Sequence, residues 1–345
     1  MKQGLGIVAV LGLLGAGAAQ AQTHSKTETI EYHDDTSYWV LGQVRRSTTN
    51  GIETSRTDFN ASSLPWKSYS FGKLRQTLAY NPAGTLASVT DGRNLTAKLS
   101  NWSRGLPQLI EHPDGTRQSA VVDHRGWITS VTDENGFKTC YAYDIMGRTT
   151  TVTYPSETQT GVCDTSAWNQ TRQEFAKINA VEWDIPAGHW RQTIINGDAR
   201  RQIYFDALWR PILTREFDAS QVSATSRFTR RTFDESGREA FASYPSTVHN
   251  PTTGTWTLYD ALGRVTSSSQ DSELGLLTTR TEYLPGFQTR TTNPRGHATT
   301  TIYQAYDQPS YDLPRGIDHP EGAHTEISRD VFGKPLEVTR SGPDG

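Results

Sequence analysis

Apolar residues are scarce in this chain. Of its 345 residues only 34% are hydrophobic and the mean hydropathy is −0.62, too little for a membrane-spanning bundle or a large helical core. An excess of either charge is also lacking: 34 basic residues stand against 37 acidic ones, a net of −3. No patch therefore neutralises a phosphate backbone, which excludes nucleic acid as a partner. Cysteines number only two, Cys140 and Cys163, and without paired histidines beside them they cannot complete a tetrahedral zinc site. Missing as well are a His-Glu-x-x-His pair, a Gly-x-Ser-x-Gly elbow and a Gly-rich phosphate loop followed by Lys. The paired carboxylates of a glycosidase are not recognisable from spacing alone. The sequence thus predicts no catalytic, cofactor-binding or metal-binding residue. His33-Asp34-Asp35 and the group Asp318, His319, Glu321 and His324 carry ligand-type side chains, but such clusters in polar loops read as solvated surface.

What is present begins with an address. Lys2 precedes the apolar run from Ile7 to Leu14, which leads to Ala19-Gln20-Ala21, a small-x-small cleavage pattern. Residues 1–21 read as a secretory signal peptide, the mature chain begins at Gln22, and no Cys follows Ala21 to carry a lipid. No membrane span remains after cleavage, so the expected location is secreted or cell-surface. In an oxidising compartment Cys140 and Cys163 are a candidate disulfide. They lie 23 residues apart, and closing such a loop contributes about 3 kcal/mol by chain entropy.

Aromatics are plentiful, with nine Trp and fourteen Tyr, which separates this chain from disordered low-hydrophobicity sequences. Their placement is periodic. Tyr80-Asn81-Pro82-Ala83-Gly84, Asn101-Trp102-Ser103-Arg104-Gly105, Val122-Asp123-His124-Arg125-Gly126 and Tyr143-Asp144-Ile145-Met146-Gly147 align with their glycines 21 residues apart. The element returns at wider spacing around Asp206, at Asp234-Gly237-Arg238, at Asp260-Gly263-Arg264 and at Asp330-Gly333. The unit is aromatic, Asp, two variable residues, Gly, basic. Asp accepts from backbone N–H groups two or more residues on, and Gly supplies positive φ, so Asp144, Gly147, Arg148 and their counterparts are read as structural turn residues. After each Gly comes a Thr-, Ser- and Val-rich stretch with one recurrent apolar site, as at Val131 and Val152, the mark of a half-buried strand. A second set of turns, including Asp91-Gly92, Asp114-Gly115 and Asn135-Gly136, carries hairpin signals.

Twenty-one residues accommodate two strands and two turns, and no helix. The expected fold is all-β, an array of hairpins stacked into a curled or spiral sheet, because one repeat cannot bury its apolar face alone and a flat sheet leaves that face exposed. The expected organisation is a β-rich lead-in over 22–70 and a repeat region over 71–345 that stops inside a further repeat. Residues 155–200 and 265–330 depart from the period and read as decorated repeats. Within the first, Thr171 to Ala176 suits a short helix or a strand.

The motif Tyr-Asp-x-x-Gly-Arg, complete at Tyr143–Arg148 and Tyr259–Arg264, resembles the YD repeat of bacterial Rhs proteins and their teneurin relatives. The resemblance covers roughly residues 70–340. It implies a spiralling sheet that closes into a hollow shell around a C-terminal effector domain, often a toxin. This chain departs from that pattern in lacking the Asp-Pro-x-Gly-Leu signature of the shell's core terminus.

Two functional readings follow. In the first, the chain is an exported, non-enzymatic segment of such a shell, whose partners are further repeats or a C-terminal effector. In the second, it is a cell-surface carbohydrate-binding or adhesion repeat protein whose aromatic-rich face contacts wall polysaccharide or another cell, with Trp102, Trp127, Trp168, Trp183 and Trp190 as candidates for stacking on sugars. Asp144 with Arg148 and Asp260 with Arg264 resemble catalytic dyads only superficially, since an active site is needed once and a turn every time.

Overall fold

The computed structural model describes residues 25–306 and 310–343; the expected signal peptide lies outside them. Among the described residues there are 26 strands, from Glu28–Asp35 to Pro335–Ser341, and one four-residue helix, Val222–Thr225. Each strand pairs antiparallel with the next in the chain, so the whole is one meander. The lead-in belongs to the same sheet: Ile52–Phe59 pairs with Pro65–Ser70, which pairs with Lys73–Tyr80. Thr171–Ile178 is a strand, pairing along its full length with His189–Asn196. Its alternating exposure suits a pleated surface and not a helix.

Most side chains are half-buried, as a one-layer sheet requires. Among the described residues the buried hydrophobics are Ile185, Tyr204, Leu213 and Phe228, gathered where two loops fold over the sheet. From one loop, Trp183 packs 4.9 Å from Phe228 and 5.6 Å from His249, while its indole N–H donates to the Tyr204 hydroxyl at 2.9 Å. From the other, His249 Nε2 meets Asp184 at 3.0 Å. Few of the described residues are fully buried, as in a thin wall with both faces wet.

The sheet curls through a full turn without closing. Among the described residues, Glu28–Asp35 pairs only with Val40–Thr49, and Pro335–Ser341 only with His324–Arg329. Yet Phe71, in a turn near the start, meets Phe332 edge-to-face at 5.2 Å, and Lys26 sits 5.5 Å over the ring of Tyr306. The right-handed twist inherent in each strand accumulates over many strands into this curvature. Small register shifts add to it, and they recur just before the turns, between Ala79 and Tyr80, Ala142 and Tyr143, Thr232 and Phe233, and Leu258 and Tyr259. Such bulges bend a strand and increase its local twist.

Candidate functional site

The repeated turn is built identically at each strong copy. In 144–148, Asp144 N–H donates to Arg148 O and Gly147 N–H donates to Asp144 O, at 2.9 and 3.1 Å. The Asp144 carboxylate accepts the N–H of Met146 at 2.8 Å and that of Arg148 at 3.0 Å, while its second oxygen accepts Arg148 Nε at 2.7 Å. Asp234 with Arg238 and Asp260 with Arg264 reproduce this set, and Asp206 with Arg210 does so too. At Asp330 the carboxylate accepts from Phe332 and Lys334 N–H. Gly147, Gly237, Gly263 and Gly333 take φ near +80°. The carboxylates of Asp144, Asp234 and Asp260 are held below their ordinary range, chiefly by the backbone N–H of the residue four positions on. A group so committed to its own loop has no oxygen to spare for a substrate.

Each arginine also reaches into the following unit. Arg210 lies 4.3 Å over Phe233, Arg238 4.6 Å over Tyr259 and Arg264 4.0 Å over Tyr283, and Arg148 lies 4.9 Å over Phe175. The tyrosines reach back: the hydroxyl of Tyr80 donates to Pro65 O, that of Tyr143 to Ile128 O and that of Tyr259 to Glu239 O. Aromatic, Asp and Arg are thus parts of one clamp that ties neighbouring strands and successive turns together.

The second set of turns has the same geometry, with one exchange of roles. Asp133 and Gly136 bond as Asp144 and Gly147 do. In 91–95, however, the positive φ falls on Asn94, at 64°, and not on Gly92. Gly92 serves another need, since a Cβ there would lie 2.6 Å from Leu74 O.

Cys140 and Cys163 are joined by a disulfide with Cα atoms 6.1 Å apart. It pins the 154–170 loop beside the strand Lys138–Tyr143, next to the bridge between Pro155 and Cys163. The five candidate tryptophans do not share one surface. Trp102 donates its indole N–H to Leu86 O, Trp127 packs against Tyr143 and over Gly147, and Trp183 covers the core. Trp168 is exposed on the 154–170 loop. Trp190 lies beside Phe175 and Trp209. Trp209 and Phe175 went unmarked in the sequence, although Trp209 stands where the repeat has Gly, which was the available signal.

Chemistry-bearing clusters are committed locally. Ser63 is 2% exposed; its hydroxyl donates to Asp35 at 2.6 Å and lies 3.0 Å from His33 Nε2. With the serine O–H directed at Asp35, the imidazole Nε2–H is the partner that donates to the serine oxygen. Asp34 accepts from Gly42 N–H, and Asp318 pairs with His324 at 2.7 Å. No group of three or more His, Cys, Asp or Glu suited to a metal occurs among the described residues, and no helix among them is long and apolar enough to cross a membrane.

The described residues form an antiparallel array of hairpins in which an aromatic-Asp turn, clamped by arginine at its strongest copies, recurs. Residues 122–159 match the family model RHS Repeat, so that segment carries an Rhs repeat. Among solved structures it is similar to the crystal structure of TcdB2-TccC3-Cdc42, with a TM-score of 0.34 and 12% identity, over 93% of this chain and 19% of that one. It is also similar to the Photorhabdus luminescens Tc holotoxin pore bearing a TccC3 mutation, with a TM-score of 0.38 and 11% identity, over 91% of this chain and 22% of that one. The chain spans about a fifth of the length of these structures. No curated protein matches it.

Proposed function

We propose that this chain is an exported, non-enzymatic structural protein that forms part of the wall of an Rhs-type shell, which in fuller form houses or delivers a C-terminal effector. The observation that carries the reading is the full turn of the one-layer sheet, in which Phe71 meets Phe332. A wall that returns over its own start surrounds a space. The Rhs repeat at 122–159 supports the same role. The repetition of the Asp–Arg pair in identical turns supports a non-enzymatic chain, and the segment 1–21 supports export.

Small-angle scattering tests the wall. A solid globule of this length has a radius of gyration of about 20 Å; the shell segment is expected well above that, with a low-density centre, and a value near the solid-globule figure refutes the reading. Export is tested separately by the mass of the secreted product, expected to begin at Gln22. Unprocessed protein retained in the cell refutes export and leaves the wall intact.

A further inference from the structure

The turn 206–210 reproduces the hydrogen bonds of the other aromatic-Asp turns, yet where they place Gly it places Trp209, at φ +63°. A bulky side chain is disfavoured in that left-handed conformation, and the turn itself asks only for glycine. The indole is 53% exposed. It lies 5.4 Å from Phe175 and 5.5 Å from Trp190, with planes 20° and 30° apart, and Phe175 and Trp190 stack at 5.2 Å and 14°. Three nearly parallel rings form a raft. Strain retained where a simpler residue suits the backbone points to a use for the side chain.

Beside the raft the sheet opens. Strand Thr149–Thr153 pairs with Thr171–Ile178 only through Thr151 with Arg172 and Val152 with Thr171, whereas Thr171–Ile178 stays paired with its other neighbour as far as Ile178. The strands part and leave a cleft of about 650 Å³, with Phe175 in its wall, a volume within the ordinary range of small-molecule sites. Successive residues of a strand face opposite ways, yet Arg172, Gln173, Glu174 and Phe175 all line the cleft. It is therefore an opening in the plane of the sheet.

The polar groups there are nearly neutral in sum, and those outside the 144–148 turn keep capacity to bind. Asp144 and Arg148 neutralise each other, and Arg172 and Glu174 oppose one another in sign. Gln192 donates to Gln173 at 3.1 Å, which leaves the Gln173 amide N–H groups and the Gln192 carbonyl uncommitted. A hexose offers an apolar C–H face and a rim of hydroxyls that both donate and accept. Raft and cleft match the two halves. We propose that Trp209, Trp190 and the adjoining cleft form a binding site for a neutral oligosaccharide, one ring stacked on the Trp209 indole and the next hydrogen-bonded to Gln173, Gln192, Arg172 and Glu174.

The site goes beyond the wall role and does not depend on it. The test titrates the full chain with maltohexaose, cellohexaose and chitohexaose, reading tryptophan fluorescence and calorimetry. At least one is expected to give a saturable signal. Trp209→Gly installs the residue the same turn carries elsewhere; it is expected to fold and to weaken binding at least tenfold. Gln192→Ala, which leaves the turn untouched, is expected to weaken binding severalfold, and Trp168→Ala, away from the raft, to change nothing. The proposal is overturned if none of the three sugars gives a saturable signal, if Trp209→Gly binds as the native chain does, or if Trp168→Ala weakens binding as much as Gln192→Ala.

Discussion

The guanidinium of Arg238 is held by Asp234 at 2.7 Å and lies 4.6 Å over the ring of Tyr259, while its Nη1 donates to Asp260 O at 2.9 Å. One side chain thereby fixes its own turn, covers the aromatic of the next unit and satisfies a carbonyl of the next turn. The motif couples neighbours, and a linear array of such couplings is how repeat proteins gain cooperativity.

Removing that coupling should be felt one repeat away. In Arg238→Ala, hydrogen exchange is expected to quicken severalfold in 260–264 as well as in 234–238, because local opening follows local contacts. Arg238→Lys keeps a charge but not the planar guanidinium that suits both carboxylate and ring, and should restore only part of the protection. Acceleration confined to 234–238 would show that the turns are independent.

Acid should loosen the array below the ordinary carboxylate range. Asp144, Asp234 and Asp260 have lowered pKa values in the fold, through backbone N–H groups first and their arginines after. A depressed folded pKa gives stability that is fully present above the unfolded value, near 4, and is lost as pH falls through the folded one. Stability from these groups is expected to be level between about pH 5 and 8 and to decline below about pH 4. Circular dichroism against pH checks this; a midpoint near neutrality would point to histidines instead.

The two special positions of the 91–95 turn should respond in opposite ways. Gly92→Ala forces a Cβ to within 2.6 Å of Leu74 O and is expected to destabilise by about 1–3 kcal/mol, as overpacking does. Asn94→Gly relieves a φ of 64° and should be neutral or slightly stabilising. Thermal melts of both variants decide, and equal losses would contradict the division of roles.

Reduction of the bond between Cys140 and Cys163 releases a 23-residue loop and should cost about 3 kcal/mol. Limited proteolysis is expected to cut within 154–170 only after reduction, or in Cys163→Ser. Cleavage there at the same rate in the oxidised protein would mean that the bond does not restrain the loop.

The spiral contact is testable by shape. Phe71→Ala with Phe332→Ala removes the edge-to-face pair that links distant turns. Scattering should show a larger radius of gyration while strand content stays constant. An unchanged radius would mean that accumulated twist alone sets the curl.

Local chemistry was legible in the sequence. Asp four residues before Arg, with Gly between, dictates a tight turn because the carboxylate reaches only its own loop's N–H groups and Gly alone takes φ near +80° without penalty. The Thr- and Val-rich stretches between such turns could only be strands, and 21-residue spacing left no room for helices. Thr171–Ile178 stayed open between helix and strand because its pattern is short, and pairing with His189–Asn196 settled it. Tertiary structure alone decided what depends on contacts between distant residues. Nothing local to Arg238 names Tyr259 as its partner, and nothing near Gly92 announces the carbonyl of Leu74. The raft of Phe175, Trp190 and Trp209 forms only because neighbouring hairpins bring three separated rings together. The meeting of Phe71 and Phe332 depends on small twists summed over some twenty strands, a quantity that no single repeat contains.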